Sequence, residues 1–181
     1  MAKKTKQNQP VRADYISALA RISLGFTFLW AFFDKLIGLG FATCRGEDGV
    51  VEALCSKAWL EGGSPTTGFL KFGTSGSPFE TVFNNLAGNT FVDWLFMIGL
   101  LGLGIALLFG IGMRIAAYTG SLLMVLMFLA AFQPENNPLI DDHIVYALVL
   151  WLLWLTNDRQ VWGFGKQWSE VSLVKKYPIL Q

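Results

Sequence analysis

Asp141, Asp142 and His143, with Tyr146 one turn further on, place the chain's only histidine and two adjacent carboxylates at the head of the apolar run ALVLWLLWL. Such a set can accept, hold and hand on protons, because histidine is the side chain that exchanges its proton closest to neutral pH. Only twelve residues run from Ile144 to Leu155, about 18 Å of helix against a bilayer core of about 30 Å. A span of about twenty residues ending at Leu155 starts near Asn136 and carries the Asp141–His143 group below its own start. Ionisable groups at that depth are costly and mark a candidate functional site.

The first apolar segment repeats this arithmetic. Twelve uncharged residues separate Arg21 from Asp34, about 18 Å of helix, so Arg21 and the Asp34-Lys35 pair cannot both lie outside a core of about 30 Å. Asp93 opens the second segment. Six ionisable groups (Asp34, Lys35, Asp93, Asp141, Asp142 and His143) are therefore expected to converge on one leaflet. This cluster suits a quinone site. The headgroup carbonyls need donors as they become anionic, which Lys35, His143 and Tyr146 can supply. Asp34, Asp141 and Asp142 can relay protons, and Phe32, Phe33, Trp94 and Phe96 can line an apolar slot. The same residues also suit architecture. Asn137-Pro138 followed by Asp141 and Asp142 is how a helix start is built, Asp34 and Lys35 can neutralise one another, and Arg21 can snorkel to the headgroups.

The elements that must position these residues are apolar. Of 181 residues, 53% are hydrophobic, seven are tryptophan and the mean hydropathy is +0.46. Charged residues make up 15%, below the roughly 25% of soluble domains. Segments at Tyr15–Phe41, Phe91–Gly110, Ile115–Phe132 and Leu139–Leu155 predict an all-α integral membrane four-helix bundle. Alternating strands of a β-barrel are not seen. Nine basic residues (Lys3, Lys4, Lys6, Arg12, Arg114, Arg159, Lys166, Lys175 and Lys176) fall on one side, against Arg45, Lys57 and Lys71 on the other. Both termini are therefore expected to be cytoplasmic. Residues 1–13 are expected to form a disordered tail, 14–157 the membrane domain, and 158–181 an interfacial tail anchored by Trp162 and Trp168. The first segment carries Asp34-Lys35 and no small-residue cleavage site, so it is expected to be an uncleaved helix.

The 42–89 connection is long enough to need structure of its own, an ordered extracytoplasmic cap. VVEALCSKAWL predicts a short interfacial helix there, followed by two turns, Gly63-Ser64-Pro65 and Gly76-Ser77-Pro78. Cys44 and Cys55 both face the oxidising side. They suit a structural disulfide closing a short loop, worth about 3 kcal/mol in the chain-entropy model, with a working redox pair as the alternative. Gly102, Ala106 and Gly110, continued by Ala116 and Gly120, predict close helix packing. One histidine and two cysteines indicate no haem, iron–sulfur cluster or other metal site. No dinucleotide fingerprint indicates a flavin, and a net charge of +1 indicates no nucleic-acid partner.

The stretches AWLEGGSPTTGFLKFGTSGSPF, VDWLFMIGLLGLGIALLFGIGMRIAA and ENNPLIDDHIVYALVL resemble the bacterial DoxX/DoxD membrane family, over roughly residues 15–157. More narrowly they resemble the large subunit of thiosulfate:quinone oxidoreductases. That resemblance implies a multi-pass protein of a bacterial plasma membrane, with lipid contact. It also implies a reaction in which two thiosulfates couple to tetrathionate and a membrane quinone takes the electrons. A small DoxA-like subunit is the implied partner, and a homo-oligomer is a further expectation. His143, Asp142, Asp141 and Lys35 are the candidate catalytic residues. Asp34, Lys35, Asp93, Trp94, His143, Tyr146 and Arg21 are candidates for the quinone, and Lys71 and Arg45 for the thiosulfate dianion. Two other roles fit the chain: a non-catalytic scaffold of a membrane redox complex, and a small-solute carrier, which four helices without inverted repeats suit less well.

Overall fold

Four apolar runs become four helices because a helix satisfies its own backbone while presenting side chains outward. They are α1 (Arg12–Ile37), α2 (Thr90–Phe109), α3 (Met113–Ala130) and α4 (Asp142–Leu155). The first three are long and apolar enough to cross a membrane, whereas α4 has 14 residues. The computed structural model describes residues 10–132, 137 and 139–181, and among these no strand occurs. Lys3, Lys4 and Lys6, Asn136 and Pro138 lie outside the described residues. So does most of the stretch expected to be a disordered tail, and its last residues, Arg12 and Ala13, are already helical.

Local chemistry sets the helix ends. Gly38 stops α1 four residues short of Phe41. It takes the left-handed conformation (φ 72°), and its N–H donates to the Asp34 carbonyl at 2.8 Å. A side chain on Gly38 would also strike the Cys44 sulfur. The fourth apolar run begins at Leu139, but α4 begins at Asp142, because the Asp141 carboxylate accepts the His143 and Ile144 N–H groups at 3.1 and 3.3 Å.

α1 packs chiefly on α2 and α4 on α3, with a smaller α2–α3 contact joining the pairs. Phe28, Met97, Leu100, Leu107 and Leu150 fill the interior. The packing glycines differ in part from those expected. Gly102 is exposed, and a Cβ there would meet nothing within 4 Å; Gly110 is the left-handed cap of α2. Close approach falls on Gly120, as expected, against Leu103 and Leu150, and also on Gly25 and Gly104, where α1 and α2 cross. A Cβ on Gly25 would sit 2.8 Å from the Leu108 backbone nitrogen. Backbone cannot swing aside, so Gly25→Ala should destabilise the protein by about 1–3 kcal/mol. Gly102→Ala should cost nothing measurable. Melting of both variants in one detergent checks the pair, and equal melting points would refute this account of the α1–α2 contact.

The connection between α1 and α2 is ordered. The Cys44–Cys55 disulfide and a bridge between Arg45 and Val51 close a loop there. The short helix expected in VVEALCSKAWL is absent. Turns replace it as far as a 3₁₀ turn at Trp59–Glu61, with Leu54, beside the cross-linked Cys55, in the left-handed region (φ 59°), a geometry that a helix excludes. Replacing both cysteines with serine should cost about 3 kcal/mol. Peptide mapping without reductant should recover the pair as one cross-linked species, and free thiols from native membranes would overturn the bond.

Candidate functional site

At the end of the bundle that carries this cap, Asp34, Asp93 and His143 are each held by partners of their own. Asp34 is 2% exposed, and its two carboxylate oxygens accept the Phe41 and Ala42 N–H groups at 3.0 and 2.9 Å. It thereby fixes the chain's exit from α1. Lys35 is half-buried and makes no ion pair with a carboxylate among the described residues. Backbone donors reach Asp34 directly, and the adjacent Lys35 meets its charge without a direct ion pair.

Asp93 lies in the first turn of α2, where the helix dipole favours a carboxylate. It is buried and accepts the Ser64 and Thr66 hydroxyls at 2.9 and 2.5 Å. The first Gly-Ser-Pro turn is in this way tied to the start of α2. The second is tied to the end of α3, where the Ser77 hydroxyl donates to the Leu129 carbonyl at 3.0 Å. Trp94 is exposed on α2, its ring edge against Trp59 of the cap at 4.7 Å. The sequence signal for both tethers was the repeated Gly-Ser-Pro, although the hydroxyl's partner in each case is remote.

On α4, His143 Nδ1 sits 2.6 Å from the Asp141 carboxylate. Asp141 therefore does two jobs, capping the helix and orienting the imidazole. Nε2 has no hydrogen-bond partner among the described residues. Asp142 is exposed, and Tyr146 lies half-buried against the core. Lys71 and Arg45 are both exposed on the cap. Asp34, Asp93 and the Asp141–His143 pair form three separate hydrogen-bonded sets. Among the described residues no hydrogen bond or ion pair joins one set to another.

Arg21 belongs to the opposite, tail end. It is 2% exposed, and its terminal nitrogens donate to four carbonyls, those of Leu107, Leu108, Val161 and Trp162. The first two are among the carbonyls that a helix C-terminus leaves unpaired. The last two belong to the segment after α4. A guanidinium offers enough donors in one plane for this and an ammonium does not. Gln160 makes a second clasp, donating to the Gly110 carbonyl at 3.0 Å and accepting the Gly165 N–H at 2.9 Å. Apart from Asn157 and Gly165, local partners of Gln160, the partners of both residues are backbone atoms 50 or more residues away and are not visible in the sequence.

Two cavities also lie at the tail end. One, of ≈ 20 Å³, is lined by Arg21, Asp14, Gln160 and Arg159; it has room for one water, which needs about 10–15 Å³. The other, of ≈ 490 Å³, opens beside Trp154 and Trp168. Asp14, which the charge pattern did not single out, is buried there, accepting the Val11 N–H at 2.8 Å with Arg159 Nε 3.6 Å away.

Fold and site together define an all-helical protein whose three long apolar helices suit a lipid membrane, with an ordered, disulfide-closed cap at one end. Compared with protein-family models, curated proteins and solved structures, the chain finds no match. The likeness to the DoxX/DoxD family rests on the three sequence stretches quoted above.

Proposed function

We propose that the chain is a membrane subunit of a quinone-linked oxidoreductase, with all four helices entering the bilayer and both termini cytoplasmic. The basic residues gathered at the tail end support that orientation: Arg12, Arg114, Arg159, Lys166, Lys175 and Lys176 lie there, whereas the cap is acidic. The supporting observation for the chemistry is the Asp141–His143 pair at the head of an apolar helix. One imidazole nitrogen is held by a carboxylate and the other is left to meet a quinone oxygen.

In the reaction, two thiosulfates join through a new sulfur–sulfur bond and release two electrons. The quinone takes up both electrons with two protons and leaves as quinol. His143 and Asp141 would deliver protons to the headgroup, with Lys35 and Tyr146 as further donors. Asp142, exposed beside them, would connect the pair to water. Exposed Lys71 and Arg45 on the cap are the cations that would meet the thiosulfate dianion. Asp34, Asp93 and Arg21 serve this site by holding the frame. The implied membrane is a bacterial plasma membrane, and the implied partner a small DoxA-like subunit.

A non-catalytic scaffold is the second proposal, favoured by how fully Arg21, Asp34 and Asp93 are spent on architecture. Exposed Gly102 would then be a docking point, and Gly102→Leu would release partners while the fold melts as before. The deciding experiment is quinol formation by the purified protein with thiosulfate and a quinone, with and without a small single-span subunit. Thiosulfate-dependent turnover sustains the oxidoreductase. No turnover under either condition favours the scaffold.

A further inference from the structure

The cap has two halves of unlike chemistry. Residues 42–71 hold seven charged side chains: Arg45, Glu47, Asp48, Glu52, Lys57, Glu61 and Lys71. Residues 72–92 hold one, Glu80, and its carboxylate accepts the Gly76 N–H at 3.0 Å. This second half nevertheless exposes Phe72, Phe79, Val82, Leu86 and Phe91.

Its short helix, Glu80–Asn84, packs on the Phe69–Gly73 turn and continues in turns as far as Gly88. At about 100° per residue these helical turns have three sides. Glu80, Phe83, Asn84 and Ala87 form the half-buried side against the protein. Phe79, Val82 and Leu86 form an exposed apolar side, and Thr81 and Asn85 an exposed polar one. An element wholly in water has no need to sort its two exposed sides, whereas one lying at the boundary of lipid and water does.

The tethers set its height. Ser77 donates to the Leu129 carbonyl near the end of α3, about 4.5 Å along that helix from Leu126. Leu122, Val125 and Leu126 are the exposed apolar face of α3. At its other end the segment runs into α2, whose exposed face opens with Phe91, Leu95 and Ile98. The backbone is prepared for lipid too, where unpaired N–H groups are costly. The Phe83, Asn85, Leu86, Ala87 and Asn89 N–H groups all donate to carbonyls within the segment, at 3.0–3.2 Å. Three apolar side chains on about two turns fall far short of the roughly 800 Å² per partner of a stable protein interface. Acyl chains need no such area.

We propose that the weakly charged half of the cap lies in the bilayer boundary, with Phe79, Val82 and Leu86 among acyl chains and Thr81 and Asn85 toward water. This rests on the membrane placement proposed above and is independent of any quinone chemistry.

The test uses the full chain in phosphatidylcholine vesicles, spin-labelled at single introduced cysteines, since the native pair is bonded. Collisions with oxygen, which concentrates in lipid, and with a water-soluble nickel chelate are measured at each label. Labels at Val82→Cys and Leu86→Cys should favour oxygen and report a depth of about 5–10 Å into the headgroup–acyl boundary. Labels at Thr81→Cys and Asn85→Cys should favour nickel. Ile98→Cys, on the exposed face of α2, reports the membrane placement itself. Nickel favoured at positions 82 and 86, with oxygen favoured at 98, would overturn the proposal and leave that placement standing. Nickel favoured at all three would overturn both. Neither reagent reaching 82 and 86 would put protein on the apolar side and overturn the lipid assignment. The unmodified chain gives an independent reading: phosphatidylcholine with a carbene-forming acyl chain should tag residues 79–86 and leave residues 46–49 untagged. Equal tagging of the two stretches would overturn the proposal.

Discussion

Arg21→Met is expected to lower stability in detergent by at least about 3 kcal/mol, since each buried polar group left unpaired costs about 1–3 kcal/mol. Four carbonyls from two distant segments would lose their donor in a single substitution. Methionine fills much of the same volume, so cavity formation contributes little and the loss reports the hydrogen bonds. Arg21→Lys should fall between the two, because a single ammonium cannot serve the end of α2 and the Val161–Trp162 carbonyls together. The α2 end and the tail are joined a second time by Phe164 N–H donating to the Phe109 carbonyl at 2.8 Å. The Met variant should therefore keep its helical content at low temperature while losing cooperativity. Chemical unfolding followed by helical signal is the measurement. A midpoint within about 1 kcal/mol of wild type, the ordinary loss for a point substitution, would show that the clasp is not what holds this end.

His143→Ala should reduce thiosulfate-dependent quinol formation by about 10²–10⁴-fold, the range for losing a positioned proton donor. Asp141 keeps its capping role in that variant, because the His143 and Ile144 N–H groups are backbone donors. The fold should accordingly survive. Asp141→Asn separates capping from positioning. An amide oxygen still caps the helix, but it no longer presents a charge to Nδ1, so activity should fall with little change in melting. The split matters. If both variants turn over at the wild-type rate, proton transfer does not pass through this pair. If only His143→Ala fails, the imidazole acts without help from its neighbour. Turnover recovered as pH is lowered in Asp141→Asn would identify proton supply as the step it slows.

Much of the architecture was legible from hydropathy, because burial in lipid leaves a long apolar signature that needs no knowledge of partners. Helix ends were less so. The fourth segment reads as starting at Leu139, yet a single carboxylate at Asp141 overrides the two apolar residues before it. The polar residues were found and their employment was not. Arg21, Asp34 and Asp93 stand out as ionisable groups within or at the edge of apolar segments, but what satisfies them is backbone N–H, backbone C=O and hydroxyls, which carry no compositional mark. For the same reason six ionisable residues gathered at one end resolve into separate local devices, with His143 and Asp141 the one pair of titratable side chains in direct contact there among the described residues. The glycines teach a related lesson. Gly102 and Gly104 differ by two positions, about 200° around a helix, and only tertiary contact tells which of them faces α1.

The short fourth helix has a mechanical consequence. Under the proposed placement of all four helices in a bilayer about 30 Å thick, its 14 residues reach about 21 Å, while α1, with 26 residues, extends about 39 Å. The protein would then present lipid with a step in hydrophobic height on the α4 side. Lipids against that side would compress, at a fraction of a kcal/mol per Å of mismatch, drawing headgroups and their water down toward His143. Thinner membranes would relieve the deformation, and the lipid environment itself would become a determinant of where this protein sits and of how readily a proton reaches its histidine in the proposed reaction.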